Sequence, residues 1–305
     1  MPEILCPICG EPLAAGGAPW RCPRGHSFDV ARQGYVNLLP VTRKHSLHPG
    51  DTKEQVAARR AFLEAGYYAP IAQAVCGAAR AFCPQGAEIL DAGCGEGYYS
   101  AQVAQALPGA RLWGLDISKD AVRLAAGRYK GPVWLCGTAA HLPFPAESFH
   151  LVMSLFALTA PEEFARVLRK DGVFLQVLAA EDHLLGLKRI IYPELLHREK
   201  DSVPVLPGFR LLETRPVRFS FRVEGAQIQN LLSMTPHFWR ITREGAARLA
   251  AQTALEDTAS AVINLYRRET EPQSDSQIHP RRGGACPAPT VCAGGAAPGS
   301  PPPAT

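Results

Sequence analysis

The chain has 305 residues, 47% of them hydrophobic, and its 32 Lys and Arg against 28 Asp and Glu leave a formal net charge of +4. That length supports one sizeable core plus a small module, and so mild a charge neither demands nor excludes a nucleic-acid partner. No apolar run reaches the roughly 18 residues of a membrane span and no basic-then-apolar leader opens the chain, so a cytoplasmic protein off the membrane is expected, its nine cysteines serving as metal ligands or reduced thiols rather than disulfides.

Residues 1–40 read as a zinc-binding module. Cys6-x-x-Cys9, twelve intervening residues, then Cys22-x-x-x-His26 gives two knuckles whose four soft donors can converge on one Zn2+. Pro7, Gly10, Pro23 and Gly25 flank them and let the backbone turn sharply. All four positions are taken, so the site is expected to be structural, and a module this small depends on metal for its folding free energy. The aromatics of Phe28–Pro40 either pack beneath the knuckles or stack on bases.

Residues 41–84 read as a basic linker and a helical entrance. Arg43-Lys44-His45 precedes turn residues, and Thr52 with Gln55 forms a capping pair for a helix through Phe62. Gly66 interrupts, and Tyr67-Tyr68-Ala69-Pro70 opens a second helix toward Phe82. Tyr68 is a candidate wall for a ligand pocket.

Residues 85–268 carry the main motif. The apolar run Ala87–Leu90 leads into Asp91-Ala92-Gly93-Cys94-Gly95-Glu96-Gly97, and an amphipathic segment from Tyr98 to Leu107 follows. Strand, glycine loop and helix is the geometry in which backbone approaches a nucleotide-like cofactor. The spacing departs from G-x-G-x-x-G. Glu96 would sit where a pyrophosphate must go, and a carboxylate there suits a cofactor with a sulfonium and an ammonium group, S-adenosylmethionine. Arg111–Asp116 is a second strand ending in an acid, and Asp116 is placed to accept ribose hydroxyls. Ser118 starts a helix over Lys119–Tyr129. Further strands are expected at Val133–Cys136, Phe149–Met153 and Gly172–Leu178. Strands alternating with helices predict an α/β domain, an open parallel sheet of the Rossmann-like S-adenosylmethionine type, with a nicotinamide enzyme or a non-binding α/β domain as the competing reading. From residue 269 to 305 the chain is rich in Pro, Gly and Ala and is expected to be a disordered tail, with Cys286 and Cys292 in it by chance.

Taken together, these segments resemble the large-subunit ribosomal RNA guanine-N1 methyltransferases (the RlmA/RrmA type). The resemblance rests on Cys6–Cys9, Gly34–Pro40, Pro49-Gly50-Asp51, Ala58–Leu63, Asp91–Tyr99, Gly114–Lys119 and Met234-Thr235-Pro236, and runs to about Tyr266. It implies zinc on Cys6, Cys9, Cys22 and His26. It implies cofactor contacts from Tyr68, from Gly95 and Glu96 in the loop, and from His183; the motif itself adds Asp91, Gly93, Gly97, Asp116 and Ile117 as cofactor-binding candidates. It implies a guanine in a hairpin loop of large-subunit (23S) RNA as substrate, and in some members macrolide resistance. One departure bears on the target. The Ala-Pro pair that members often show after the fourth strand is spread here over Ser154–Pro161.

The implied chemistry is in-line attack by guanine N1 on the methyl group, with the protein mainly aligning the partners. No residue is assigned to take the N1 proton, and His141 reads as a loop residue at the pocket edge. The segment after the fourth strand has neither an Asn/Asp-Pro-Pro-aromatic sequence nor a nucleophilic cysteine, which disfavours exocyclic-amine and pyrimidine-C5 methylation. N1 must be reached on an unpaired or flipped base. Arg32, Arg43, Lys44, Arg59 and Arg60 are the candidate RNA-backbone contacts. A small-molecule methyltransferase with a structural zinc site, or an inactive zinc-dependent RNA-binding protein, are the competing readings. Two-fold pairing of the zinc modules would give a homodimer.

Overall fold

The structure, a computed structural model, describes residues 2–40, 42, 49–195 and 201–269. Arg43, Lys44 and the Pro-rich tail from residue 270 lie outside the described residues.

The front of the chain folds as a two-stranded ribbon, β1 (Trp20–Arg21) antiparallel to β2 (Ser27–Phe28). The next strand, β3 (Tyr35–Asn37), leaves the ribbon and joins the central sheet. Two helices follow. Helix α1 (Lys53–Glu64) starts on the expected capping box, with Thr52 Oγ1 accepting from Gln55 N and the Gln55 side chain accepting from Thr52 N. Gly66, at φ +85°, breaks the chain before α2 (Ala69–Phe82).

The alternating part runs β4 (Glu88–Ala92), α3 (Tyr98–Ala106), β5 (Arg111–Asp116), α4 (Lys119–Arg128), β6 (Val133–Cys136), β7 (Phe149–Leu155), α5 (Pro161–Val167) and β8 (Leu168–Ala179). The C-terminal part adds α6 (Leu185–Ile191), β9 (Phe209–Glu224), α7 (Ala226–Ser233), a 3-10 turn over Pro236–Trp239, α8 (Arg243–Ala250) and β10 (Ala254–Arg268).

Eight strands form one sheet in the order β3-β6-β5-β4-β7-β8-β10-β9. The six from β3 to β8 are mutually parallel, as βαβ units require, whereas β10 runs antiparallel to both of its neighbours, β8 and β9. The expected open parallel sheet is present, and the antiparallel strand β10 adds to it. The final two long strands run as a pair, and their register places β10 beside β8. Strand alternation explains the two cores. Ile89, Leu151 and Val173 face one cluster, with α2, α3 and α6–α8. Leu90, Val152 and Phe174 face the other, with α5 and the zinc ribbon.

The ribbon shares that second core. Ile4, Cys6, Trp20 and Cys22 pack in the same cluster as Trp113, Phe144 and Phe149, and Leu5 N donates to Pro143 O at 2.8 Å. Trp20 and Phe28 pack near the knuckles. Tyr35 instead lies against Cys136 and Val122 on the far side of β6, and so neither fills the ribbon nor faces solvent. Among the described residues no helix is long and apolar enough to cross a membrane.

Candidate active site and metal centre

The four knuckle donors converge. Their ligand atoms all lie within 4.8 Å of one another, with Cys22 Sγ 3.3 Å and Cys6 Sγ 3.6 Å from His26 Nδ1, and Cys9 Sγ 3.6 Å from Cys22 Sγ. A tetrahedron with metal–sulfur bonds of about 2.3 Å has edges of about 3.8 Å, so three thiols and one imidazole at these spacings fit a zinc ion. Burial opposes ionisation of Cys22, but the His26 backbone amide, the Cys9 thiol and the His26 ring around its sulfur bring the thiol down to about 7.

The glycine loop is built by sterics. Gly93, Gly95 and Gly97 have φ of +94°, +55° and +84°, the left-handed region that favours glycine. A Cβ on Gly93 would stand 2.5 Å from Ala157 Cβ, and one on Gly97 2.6 Å from the Trp134 ring. Gly93 N and Cys94 N both donate to Leu115 O at 2.7 and 3.1 Å, which ties the loop to the end of β5. Asp116 completes the tie: its Oδ2 accepts from Gly95 N at 2.9 Å and its Oδ1 from Ser118 N at 2.8 Å. Each oxygen retains a second lone pair for a ligand.

The electrostatics are lopsided. Asp91, buried at the end of β4, accepts from Ser100 Oγ through Oδ2 and leaves Oδ1 without a partner; burial pushes it up to about 7. Glu96 is buried too, its Oε2 unpartnered, and burial raises it to about 7 even though Arg59 pulls the other way. Burial raises Asp116 as well. The cation near them, Arg59, is ion-paired with Asp51. Asp51, Glu96 and Asp116 thus act on one guanidinium, and Asp91 lies buried beside Glu96 and Asp116. A ligand carrying a sulfonium and an ammonium supplies the missing positive charge, so the residues present fit S-adenosylmethionine.

Tyr68 is 3% exposed and its OH lies 3.2 Å from His183 Nε2, while His183 Nδ1 lies 2.9 Å from Ser260 O and 3.1 Å from Ser260 N. Phe156 stands beside both rings, at 6.4 Å from Tyr68 and 6.0 Å from His183. It occupies a strained position, φ +53° directly after β7.

These groups open on one cleft of about 1780 Å3. Tyr68, Gly93, Gly95, Glu96, Asp116, Ile117 and His183 line it, and Asp91 and Gly97 sit beneath the loop as its supports. Small-ligand pockets run to roughly 300–1,000 Å3, so the cleft has room for a second partner. Its far wall, formed by α6 and the 3-10 turn, carries Lys188, Arg189, Tyr192, His237, Trp239 and Arg240. The sequence reading missed this wall and also Asp51. Met234-Thr235-Pro236 pointed at the segment without giving it a role.

Of the candidate RNA contacts, Arg59 is turned into the cleft by Asp51 and the acid cluster, and not outward. Arg60 pairs with Glu64 on α1, Arg32 is exposed beyond the ribbon, and Arg43 and Lys44 lie outside the described residues. His141 is exposed and does not line the cleft.

Comparison with known proteins bears on this geometry. Residues 4–47 match the zinc-ribbon family described as RlmA, N-terminal, and residues 89–172 match a methyltransferase domain. A Streptomyces fradiae protein named 23S rRNA (guanine(748)-N1)-methyltransferase is 34% identical over 259 residues, covering 82% of this chain and 90% of its own. A Micromonospora griseorubida protein provisionally named a 23S rRNA (guanine-N1)-methyltransferase is 35% identical over 88% of this chain and 97% of its own. A Bacillus subtilis relative with the same provisional name is 29% identical over 85% of this chain and 94% of its own.

Proposed function

The chain belongs to the 23S rRNA (guanine-N1)-methyltransferase family, and we propose that it moves a methyl group from S-adenosylmethionine to N1 of a guanine in a hairpin loop of large-subunit ribosomal RNA. The observation that carries this reading is the two-part cleft, with an acid-lined glycine loop at one end and an aromatic, basic wall at the other. A small-molecule methyltransferase needs no such wall, and an inactive RNA binder needs no intact loop.

When bound, S-adenosylmethionine supplies an electrophilic methyl group on a sulfonium. Asp116 fixes the Gly95 amide and keeps acceptor capacity for ribose hydroxyls. Glu96, its Oε2 buried and unpartnered, attracts the cationic part of the ligand. Tyr68 and His183 brace each other beside Phe156 and close one side against water. These residues would hold the cofactor in a fixed place against which a guanine N1 could be aligned, and alignment of this kind supplies much of the rate. Burial of Asp91 keeps it a support for the loop through Ser100.

In the same reading residues 1–40 form a zinc module holding one structural Zn2+ on Cys6, Cys9, Cys22 and His26, residues 41–84 an entrance, and residues 85–268 the transfer domain. Arg32, Arg43, Lys44 and Arg60 meet the RNA backbone, the protein works in the cytoplasm where its ribosomal substrate resides, and macrolide resistance and zinc-module dimerisation are consequences open to growth and sedimentation measurements. The deciding experiment incubates the protein with labelled S-adenosylmethionine and ribosomal RNA that lacks the modification. Label mapped to N1 of a large-subunit guanine is the expected result. Cofactor binding without any label in RNA overturns the proposal.

A further inference from the structure

The far wall of the cleft presents a large aromatic ring to solvent. Trp239 ends the 3-10 turn and is 67% exposed, whereas Trp20, Trp113 and Trp134 are 9%, 1% and 2% exposed. Its exposure is not that of a loose end. Thr235 Oγ1 donates to Leu232 O at 2.8 Å, Phe238 packs against the core behind it, and the Phe238 and Trp239 rings meet edge to face at 5.0 Å. One residue earlier, His237 Nδ1 lies 2.8 Å from Tyr192 OH, which joins the turn to the end of α6.

Helix α6 is itself clamped at both ends. Asp257 accepts from Gly186 N and Leu187 N at 2.9 and 2.7 Å, and the Arg248 side chain donates to Ile190 O at 2.7 Å. The wall is therefore a fixed surface. Three arginines line the cleft. Arg59 is paired with Asp51, while Arg189 and Arg240 are exposed and have no carboxylate partner among the described residues. Acids on this side are Glu181, Asp182 and Glu194, of which Asp182 is paired with Arg218.

A solvent-facing indole on the same cleft as two guanidiniums that have no carboxylate partner among the described residues is the chemistry of unpaired RNA: a π face for a base, cations for the phosphates. We propose that Trp239 is the stacking platform for an unpaired base of the hairpin loop, with Arg189 and Arg240 on the flanking phosphates. The proposal rests on the ribosomal RNA reading above and assigns the part of the cleft that a cofactor leaves over.

The other three tryptophans are shielded, so acrylamide quenching of the intact protein reports chiefly on Trp239. Titration with a synthetic RNA hairpin bearing the target guanine is expected to protect that fluorescence. Trp239→Ala is expected to lower kcat/KM for the hairpin by about 5- to 160-fold, the range for one lost base–aromatic stack, with S-adenosylmethionine affinity unchanged and Trp239→Phe recovering most of the loss. Arg189→Gln and Arg240→Gln are each expected to flatten the salt dependence of binding by about 0.7 in log–log slope. Hairpin binding with quenching unaltered, or wild-type kcat/KM in Trp239→Ala, overturns the stacking role. A protein that binds the hairpin and protects Trp239 yet transfers no methyl group overturns the functional reading and leaves the platform standing. A protein that does not bind the hairpin overturns both.

Discussion

The two sides of the cleft are held by different forces. The glycine loop is shaped by exclusion: Gly93 and Gly97 sit where any side chain would meet Ala157 or Trp134, so the backbone lies against the core itself. The α6 wall is shaped by attraction, through one buried carboxylate, Asp257, and one arginine, Arg248, that satisfy the two ends of a seven-residue helix too short to stand alone. Packing of this kind leaves almost no freedom, which suits the side that must align a reacting methyl group. Hydrogen-bonded clamps hold a surface in place while leaving its outer residues free to meet a larger partner.

Substitutions can break this contrast at either side. Gly97→Val, which puts a β-branched residue at φ +84° and drives its Cβ into the Trp134 ring, is expected to cost about 4 kcal/mol or more in urea unfolding and to abolish cofactor binding. Asp257→Ala leaves the Gly186, Leu187 and Thr258 amides without their acceptor. A loss of about 2–3 kcal/mol is expected, with a raised KM for RNA and an unaltered dissociation constant for S-adenosylmethionine. Equal damage to both ligands in calorimetry would show that wall and loop are one unit.

The smallest effect is that of pH. Burial lifts Asp91 and Glu96 to about 7, above the ordinary carboxylate range, so between that range and pH 7 the unfolded chain binds fewer protons than the folded one. Stability of the cofactor-free protein is accordingly expected to fall as pH rises through this window and to level off above it. Affinity for the cationic cofactor should move the other way, gaining at most about tenfold per pH unit per group. Melting and titration series from pH 5.5 to 8 read both, and parallel trends would contradict the assignment of these acids to the cofactor side.

The loop and the zinc knuckles were legible in the sequence because each is written in one short stretch. Alternate glycines encode three left-handed turns, and C-x-x-C with C-x-x-x-H encodes a donor set. The far wall was not legible, since Tyr192 and His237, or Gly186 and Asp257, meet only through the topology of the last third of the chain. Some of that topology was readable. Val217, Phe219, Phe221 and Val223 alternate with polar residues and mark a half-buried strand, a period-2 signal left unused. Tyr35 misled because a three-residue strand carries too little pattern to be told from a loop. Arg59 misled because its direction is set by Asp51 before the helix and by Glu96 and Asp116, which are far away in sequence, and not by its neighbours along α1.

The sheet also ends in a way that bears on self-association. Strand β9 is sixteen residues long and, among the described residues, is paired within the sheet only toward β10. An open border of that length would ordinarily invite another chain to continue the sheet. Pro216 sits midway along it, opposite Val262, and has no N–H to offer. Arg210, Arg218 and Arg222 stand exposed along the same strand. The border is thus interrupted by a proline and lined with charge, two features that oppose continuation of the sheet by another strand.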